Sequence, residues 1–396
     1  MNSVEEATAR IVAAFVPTDG ETISIADAAG RVLAADAIAR CDQPPAPVSA
    51  MDGYAVRAAD VAHVPAQLRV TGSSPAGGPF AGVVGTGEAV RIFTGGVVPD
   101  GADSIVIQED TESRGDRVVV KAPPNIRQNI RPQGQDFHSG DVLATAGKRL
   151  GARDVSLLAA GDVASVTVRR KPMIAFAATG DELSRPGAPR KPGGIVASSG
   201  YGLAAMIEDW GGSARDLGIL PDTEEAIASI AASAKDADMV VTLGGASVGD
   251  HDLIQKALGP KGFALDFWKI AMRPGKPLIF GRLGKTPLLG LPGNPVSTFV
   301  CALLFLKPAI AALLGTKNET PLLLAKLIAP LAANGVRQNY MRARTELRDG
   351  QLWVEVFAAQ DSSMLGILAR ADALVVRAPN APAAITGDRV DILPLP

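Results

Sequence analysis

Four short stretches gather residues able to do chemistry: Thr179-Gly-Asp-Glu-Leu183, Leu220-Pro-Asp-Thr223, Leu243-Gly-Gly-Ala-Ser-Val-Gly-Asp-His-Asp252 and Leu291-Pro-Gly-Asn-Pro-Val-Ser297. Gly244 and Gly245 open a glycine-rich turn between an apolar run and a helical pattern. Such turns let backbone N–H groups approach an anion, and the helix start that follows favours negative charge. Pro292, Gly293, Asn294 and Pro295 form a second turn of this kind, with Ser297 in the first turn of the next helix. Asp181, Glu182, Asp222, Asp250 and Asp252 add five carboxylates, oxygen donors suited to a hard cation such as Mg²⁺. Lys269, Arg273 and Lys276 supply cations, the last two projecting from a turn made by Pro274 and Gly275. Carboxylates, cations and amide-lined turns together describe a site for a phosphorylated ligand with a divalent metal. Neither a GxxxxGK[ST] nor a GxGxxG run occurs, so a Walker loop and a dinucleotide fingerprint are both excluded.

One pattern points elsewhere and fails. Gly245-Ala-Ser247-Val-Gly249 matches the nucleophile elbow of serine hydrolases, whose triad runs Ser, acid, His along the chain. The only histidine after Ser247 is His251, four residues on, so no later base exists. The 396 residues include three histidines (His63, His138, His251) and two cysteines (Cys41, Cys301), which excludes a disulfide scaffold, a Cys-rich zinc module and an iron–sulfur protein. A formal net charge of −2 gives no reason to expect nucleic acid as a partner. The chemistry must run on carboxylates, amines, hydroxyls and backbone amides.

The elements that position these loops can be read from the same sequence. Ser3 with Glu6 fits a helix capping box, and the segment from 3 to 16 reads as a helix. Its acidic start does not suit a signal peptide. The longest apolar stretch, Val296–Leu314, is interrupted by Lys307-Pro308. It reads as a buried, kinked helix rather than a membrane span, which needs roughly 18–20 uninterrupted residues. Two cysteines far apart in sequence suit a reducing, cytoplasmic setting. After Pro44, Pro45 and Pro47 the texture becomes Gly/Pro-punctuated with short alternating apolar runs, the mark of a β-rich unit. From about residue 169, strand and helix patterns alternate as in a doubly wound α/β domain, where ligands bind outside the carboxyl ends of the strands. Short strand patterns in the tail read as a small β-barrel or sandwich. The expected fold class is multidomain α/β. Residues 1–42 and 137–168 form a discontinuous domain I (α+β), 43–136 an inserted β-rich domain II, 169–318 the doubly wound domain III and 319–396 a barrel domain IV.

Six blocks now stand in order: Ser49-Ala-Met-Asp-Gly-Tyr-Ala55, Phe93-Thr-Gly-Gly-Val-Val-Pro-Asp-Gly-Ala-Asp103, Thr179-Gly-Asp-Glu-Leu183, Gly244-Gly-Ala-Ser-Val-Gly-Asp-His-Asp252, Arg273-Pro-Gly-Lys-Pro277 and Gly290-Leu-Pro-Gly-Asn-Pro-Val-Ser297. Over nearly the whole chain this resembles the molybdopterin molybdenumtransferase family, MoeA and the gephyrin E-domain. The resemblance implies insertion of molybdate into the dithiolene of adenylylated molybdopterin with Mg²⁺ help, releasing AMP. It further implies an elongated four-domain homodimer whose active cleft lies between chains, with the third domain binding the pterin nucleotide. Molybdoenzymes or other cofactor-pathway proteins would be further partners; no nucleic acid or membrane is implied.

Motif by motif, the resemblance places Asp52, Thr94, Asp136 and Glu182 as catalytic and Asp222 and Asp252 as metal ligands. It gives substrate binding to Ser247, Asp250, Arg273, Lys276 and Ser297, to which the reading of the loops themselves adds Gly244, Gly245, Lys269, Pro292, Gly293, Asn294 and Pro295. In the tail, Arg342 and Ser363 match a molybdate position. Two departures stand out. Arg273 occupies a position where the family often has Lys; it binds an oxyanion bidentately but has no proton to give. Ala197-Ser198-Ser199 replaces an Asp-Ser-Asn and so lacks a carboxylate and an amide. Two other readings remain open at this point, adenylylation of molybdopterin by the same α/β fold and a non-catalytic dimeric scaffold or carrier in cofactor delivery.

Overall fold

A computed structural model of the chain describes residues 1–245, 250–316 and 321–395, the side chains of residues 250–252 excepted. The chain forms two compact units. One comprises Met1–Glu21, Gly30–Ala34 and Val168–Pro396, the other Thr22–Ala29 and Ala35–Thr167.

The smaller unit is built on a six-stranded mixed sheet. Its strands are β1 (Gly53–Val56), β2 (Ala66–Ser74), β3 (Glu88–Ile92), β4 (Ser104–Ile107), β5 (Thr111–Arg114) and β6 (Arg117–Val120), in the order β4-β1-β3-β2-β6-β5. β1 is buried along its whole length because it lies between β3 and β4, both antiparallel to it. Valines, isoleucines and alanines fill both faces of this sheet, as expected of a chain with only 4% aromatics.

The larger unit begins with helix α1 (Val4–Val12), whose Ser3–Glu6 capping box is formed in both directions, at 3.0 and 2.9 Å. The helix stops well short of residue 16. An α/β layer follows with strands β7 (Met173–Thr179), β8 (Ser213–Leu220), β9 (Met239–Leu243), β10 (Phe263–Trp268), β11 (Ile279–Leu283) and β12 (Thr286–Leu291), in the order β8-β7-β9-β12-β11-β10. The first four of that order are parallel, and β11 pairs antiparallel with both β12 and β10. Apolar clusters cover both faces of the sheet, so it is doubly wound. Helix α2 (Ser199–Asp209) packs in the first cluster, and α3 (Glu224–Ala228) with α4 (Asp250–Leu258) in the second. Thr223 caps α3, accepting from Ala226 N–H at 3.3 Å. The chain from 224 to 236 then runs as three short helical pieces.

Helix α5 (Pro295–Cys301) continues to Leu313 through a π-helical turn at Ala302–Leu306, just before Pro308. A widened turn is where a helix absorbs the missing N–H of a proline. This apolar 19-residue helix is long enough to cross a membrane, but it is mostly buried within the protein as the central rod of the larger core.

The C-terminal strands β13 (Leu323–Leu327), β14 (Gln338–Arg348), β15 (Gln351–Val356), β16 (Ala373–Arg377) and β17 (Arg389–Pro394) run β14-β15-β13-β17-β16 and close through β14–β16 pairing into a five-stranded barrel. A short strand, Met272–Arg273, adds to β14, so the barrel is stitched to the α/β layer beside the Arg273-Pro-Gly-Lys276 turn.

Candidate functional site

Parallel strands β7, β9 and β12 end together, and the loops leaving their carboxyl ends form one wall of a cavity of about 790 Å³. That volume lies in the range of small-molecule sites. Its lining includes Glu182, Asp222, Gly244, Gly245, Arg273, Lys276, Pro292, Gly293, Asn294, Pro295 and Ser297 from the α/β layer, and Gln360, Asp361 and Ser363 from the barrel side. Twelve of the proposed site residues therefore share one cavity, Ser363 included.

The turns are tight for local reasons. Gly244 and Gly245 have φ of 100° and 67°, the left-handed region where a Cβ is strained. A Cβ on Gly244 would also sit 2.9 Å from both oxygens of Thr179. Gly275, φ 104°, lets the cationic turn pass over α5; a Cβ there would lie 2.4 Å from Cys301 Sγ. Arg273 and Lys276 flank that buried glycine and are both exposed. Asn294 caps no backbone group of its own helix. Its side-chain amide donates to Ser362 Oγ at 3.0 Å, and Val296 N–H donates to Ser362 O at 3.1 Å, tying the start of α5 to the barrel loop.

Arg342 lies at the barrel side, 1% exposed. It donates from its backbone N–H and Nε to Gln360 Oε1 at 3.0 and 3.3 Å, and from Nη1 to Met364 O at 3.2 Å. Among the described residues no carboxylate lies within ion-pair distance of it; Asp361 acts on it from further away. Burial pushes the Arg342 pKa down, opposed by Asp361. A buried guanidinium without a paired carboxylate is costly unless an anion joins it. Ser363 sends both its N–H and its hydroxyl to Asp361 Oδ1, at 2.8 and 2.6 Å, which holds the Asp361 carboxyl below its usual range.

The remaining candidates divide. Lys269 stands apart from the cavity lining, its ammonium 3.6 Å from the Trp268 ring centroid. Ser247 and the side chains of Asp250 and Asp252 fall outside the described residues. Among the described residues, no three His, Cys, Asp or Glu side chains converge as a metal-binding group. Asp52, Thr94 and Asp136 belong to the smaller unit. Thr94 donates its N–H and its hydroxyl to one oxygen of Asp52, Oδ1, at 2.7 and 2.8 Å. These two bonds, the N–H foremost, with Arg91 adding, hold the Asp52 carboxyl below the usual carboxylate range. Asp136 is exposed on a loop fixed by its N–H to Gln43 O, 2.9 Å.

Sequence reasoning missed Gln360 and Asp361 in the cavity lining, and Arg91 beside Asp52. For the first two the signal was present, since they adjoin Ser363 in Gln360-Asp-Ser-Ser363.

Comparison with known proteins gives a consistent picture. Residues 2–161 match the family model for the MoeA N-terminal region (domains I and II), 175–312 a probable molybdopterin binding domain, and 325–395 the MoeA C-terminal region (domain IV). A molybdopterin molybdenumtransferase of Haemophilus influenzae is 35% identical over 91% of this chain and 90% of its own length. One from Bacillus subtilis is 32% identical over 94% and 89%. The solved structure of the molybdopterin biosynthesis moeA protein from Pyrococcus horikoshii OT3 superposes with a TM-score of 0.85 at 28% identity, covering 100% of both chains.

Proposed function

This chain belongs to the molybdopterin molybdenumtransferase family, a transferase of molybdenum cofactor biosynthesis, and from that membership we propose that it inserts molybdate into the dithiolene of adenylylated molybdopterin and releases AMP. The observation that carries this reading is the pairing of charges around one cavity. The exposed Arg273 and Lys276 lie on the α/β wall, and the buried Arg342, without an ion-paired carboxylate among the described residues, lies behind Gln360 on the barrel side. Molybdate is a tetrahedral dianion and the second substrate carries phosphates, so cations on both sides suit a site that brings two oxyanions together.

In this reading Arg273 and Lys276 hold the phosphate-bearing substrate against the amide-lined turns at Gly244–Gly245 and Gly293–Asn294, with Ser297 beneath. Arg342 and the Gln360–Ser363 loop hold molybdate. Asp52, kept ionised by Thr94, and Asp136 act as carboxylates toward the reacting group. Glu182 and Asp222 face the same cavity and fit Mg²⁺, which is commonly held by one or two carboxylates plus substrate phosphates; Asp252 is the further candidate. Bound there, Mg²⁺ supplies charge neutralisation to the phosphoryl oxygens. The dithiolene sulfurs are the substrate's own, which fits a chain whose cysteines, Cys41 and Cys301, are free and whose Cys301 is buried. We also propose the four-domain division of the chain, a homodimer with the cleft completed between chains, and a cytoplasmic location.

The test is turnover by purified protein given adenylylated molybdopterin, Mg²⁺ and molybdate. Molybdate-dependent AMP release is the expected result. ATP-driven adenylylation of molybdopterin, without AMP release from the adenylylated form, would instead support the sister activity.

A further inference from the structure

Asp52 sits at the start of β1, and its backbone is bracketed by Arg91. The Arg91 guanidinium carbon lies 5.0 Å from the Tyr54 ring centroid and 5.0 Å from that of Phe93, so the group makes a cation–π contact with each ring. Tyr54 is its partner in register on β1, and Phe93 stands two residues further along its own strand direction. From that position Nη1 donates to Gly53 O at 3.3 Å and Nη2 to Gln108 Oε1 at 2.8 Å. Gln108 in turn donates its backbone N–H to Asp52 O at 3.1 Å. One side chain thus fixes the carbonyl after Asp52 and the residue bonded to the carbonyl of Asp52. The backbone has no slack to take up if this is lost, since a Cβ on Gly53 would sit 1.9 Å from Val106 O. Among the described residues Arg91 has no carboxylate ion-pair partner, and its charge acts on Asp52.

We propose that Arg91 is a positioning residue for Asp52: it clamps the Asp52–Gly53 backbone and Gln108 so that Thr94 can hold Oδ1 in place. The proposal rests on the reading that Asp52 acts in the reaction. Two long-range contacts, to Tyr54 and to Gln108, converge on a residue that touches no reacting atom itself. Positioning errors of this kind cost rate rather than fold, about 10- to 100-fold for displacements near 1 Å.

The experiment compares full-length wild type, Asp52→Asn, Arg91→Met and the double variant D52N/R91M in the AMP-release assay, with thermal unfolding of each. R91M is expected to lower kcat about 10- to 100-fold, and D52N/R91M to match D52N alone. An effect acting through Asp52 vanishes once Asp52 is gone, whereas an independent lesion of the sheet multiplies. Arg91→Lys keeps a cation on an aliphatic stem and loses the two-point hydrogen bonding. If R91M unfolds, R91K carries the same comparison, slower in the Asp52 background and unchanged in the D52N background. Wild-type kcat in R91M or R91K, or multiplying effects, overturns the proposal alone. Wild-type turnover by D52N overturns the reading of Asp52 and the proposal with it.

Discussion

Gln360 and Arg342 grip each other from both ends. Arg342 gives its backbone N–H and Nε to Gln360 Oε1, and Gln360 Nε2 returns to Arg342 O at 2.9 Å. Gln360 lines the cavity while Arg342 is buried behind it, so the amide orients a cation that has no carboxylate within ion-pair distance among the described residues. Arg342→Met is therefore expected to weaken molybdate binding about 10- to 100-fold by calorimetry, the equivalent of a charged hydrogen bond of about 1.5–3 kcal/mol. Gln360→Leu removes the orienting amide and is expected to weaken molybdate binding in the same direction.

Arg170 and Asp238 give a pH prediction remote from the cavity. Nη1 and Nη2 of Arg170 meet the two oxygens of Asp238 at 2.9 and 2.8 Å, and Met173 N–H adds a third bond at 2.7 Å, anchoring the start of β7. Burial pushes the Asp238 carboxyl up, but these bonds outweigh it and the net shift is downward. A carboxyl with a lowered folded-state pKa contributes stability that is complete above its unfolded value, about 4, and is lost as pH falls through the folded value. Asp238→Asn should cost about 1–2 kcal/mol at pH 7. In chemical denaturation the gap from wild type should narrow as pH falls below 4.

The Arg273–Lys276 turn depends on Gly275. Alanine there must hold φ near 104° and place its methyl 2.4 Å from Cys301 Sγ. Gly275→Ala is expected to lower stability by about 1–3 kcal/mol and to raise KM for the phosphorylated substrate. Combining it with Cys301→Ala relieves the steric part while leaving the backbone strain, so stability should recover only in part.

If Glu182 and Asp222 share Mg²⁺, chelation stops AMP release and added Mg²⁺ restores it. Asp222→Asn should shift the Mg²⁺ requirement to higher concentration with less effect on saturated kcat. An unchanged Mg²⁺ titration would remove Asp222 from that role.

Local rules made much of this legible from sequence. The Ser3–Glu6 box forms as its spacing dictates, and the glycine turns after β9 and β12 do line one cavity. What stayed hidden depends on distant partners. Gln338–Arg348 holds several arginines and did not read as a strand, yet barrel closure against β16 pairs Arg342 with Leu374 and buries it. Arg91 gains its setting only when β1 brings Tyr54 opposite. Lys269 likewise shows its setting only in the fold, where its ammonium rests over the neighbouring Trp268 ring.

The most direct measurement is a crystal soaked with molybdate and AMP, with molybdenum located by its anomalous signal. Molybdenum beside the Gln360–Ser363 loop and Arg342, with the AMP phosphate against Arg273, Lys276 and the Gly244–Gly245 turn, is the predicted result. Both anions bound elsewhere, with this cavity empty at saturating concentration, would contradict it.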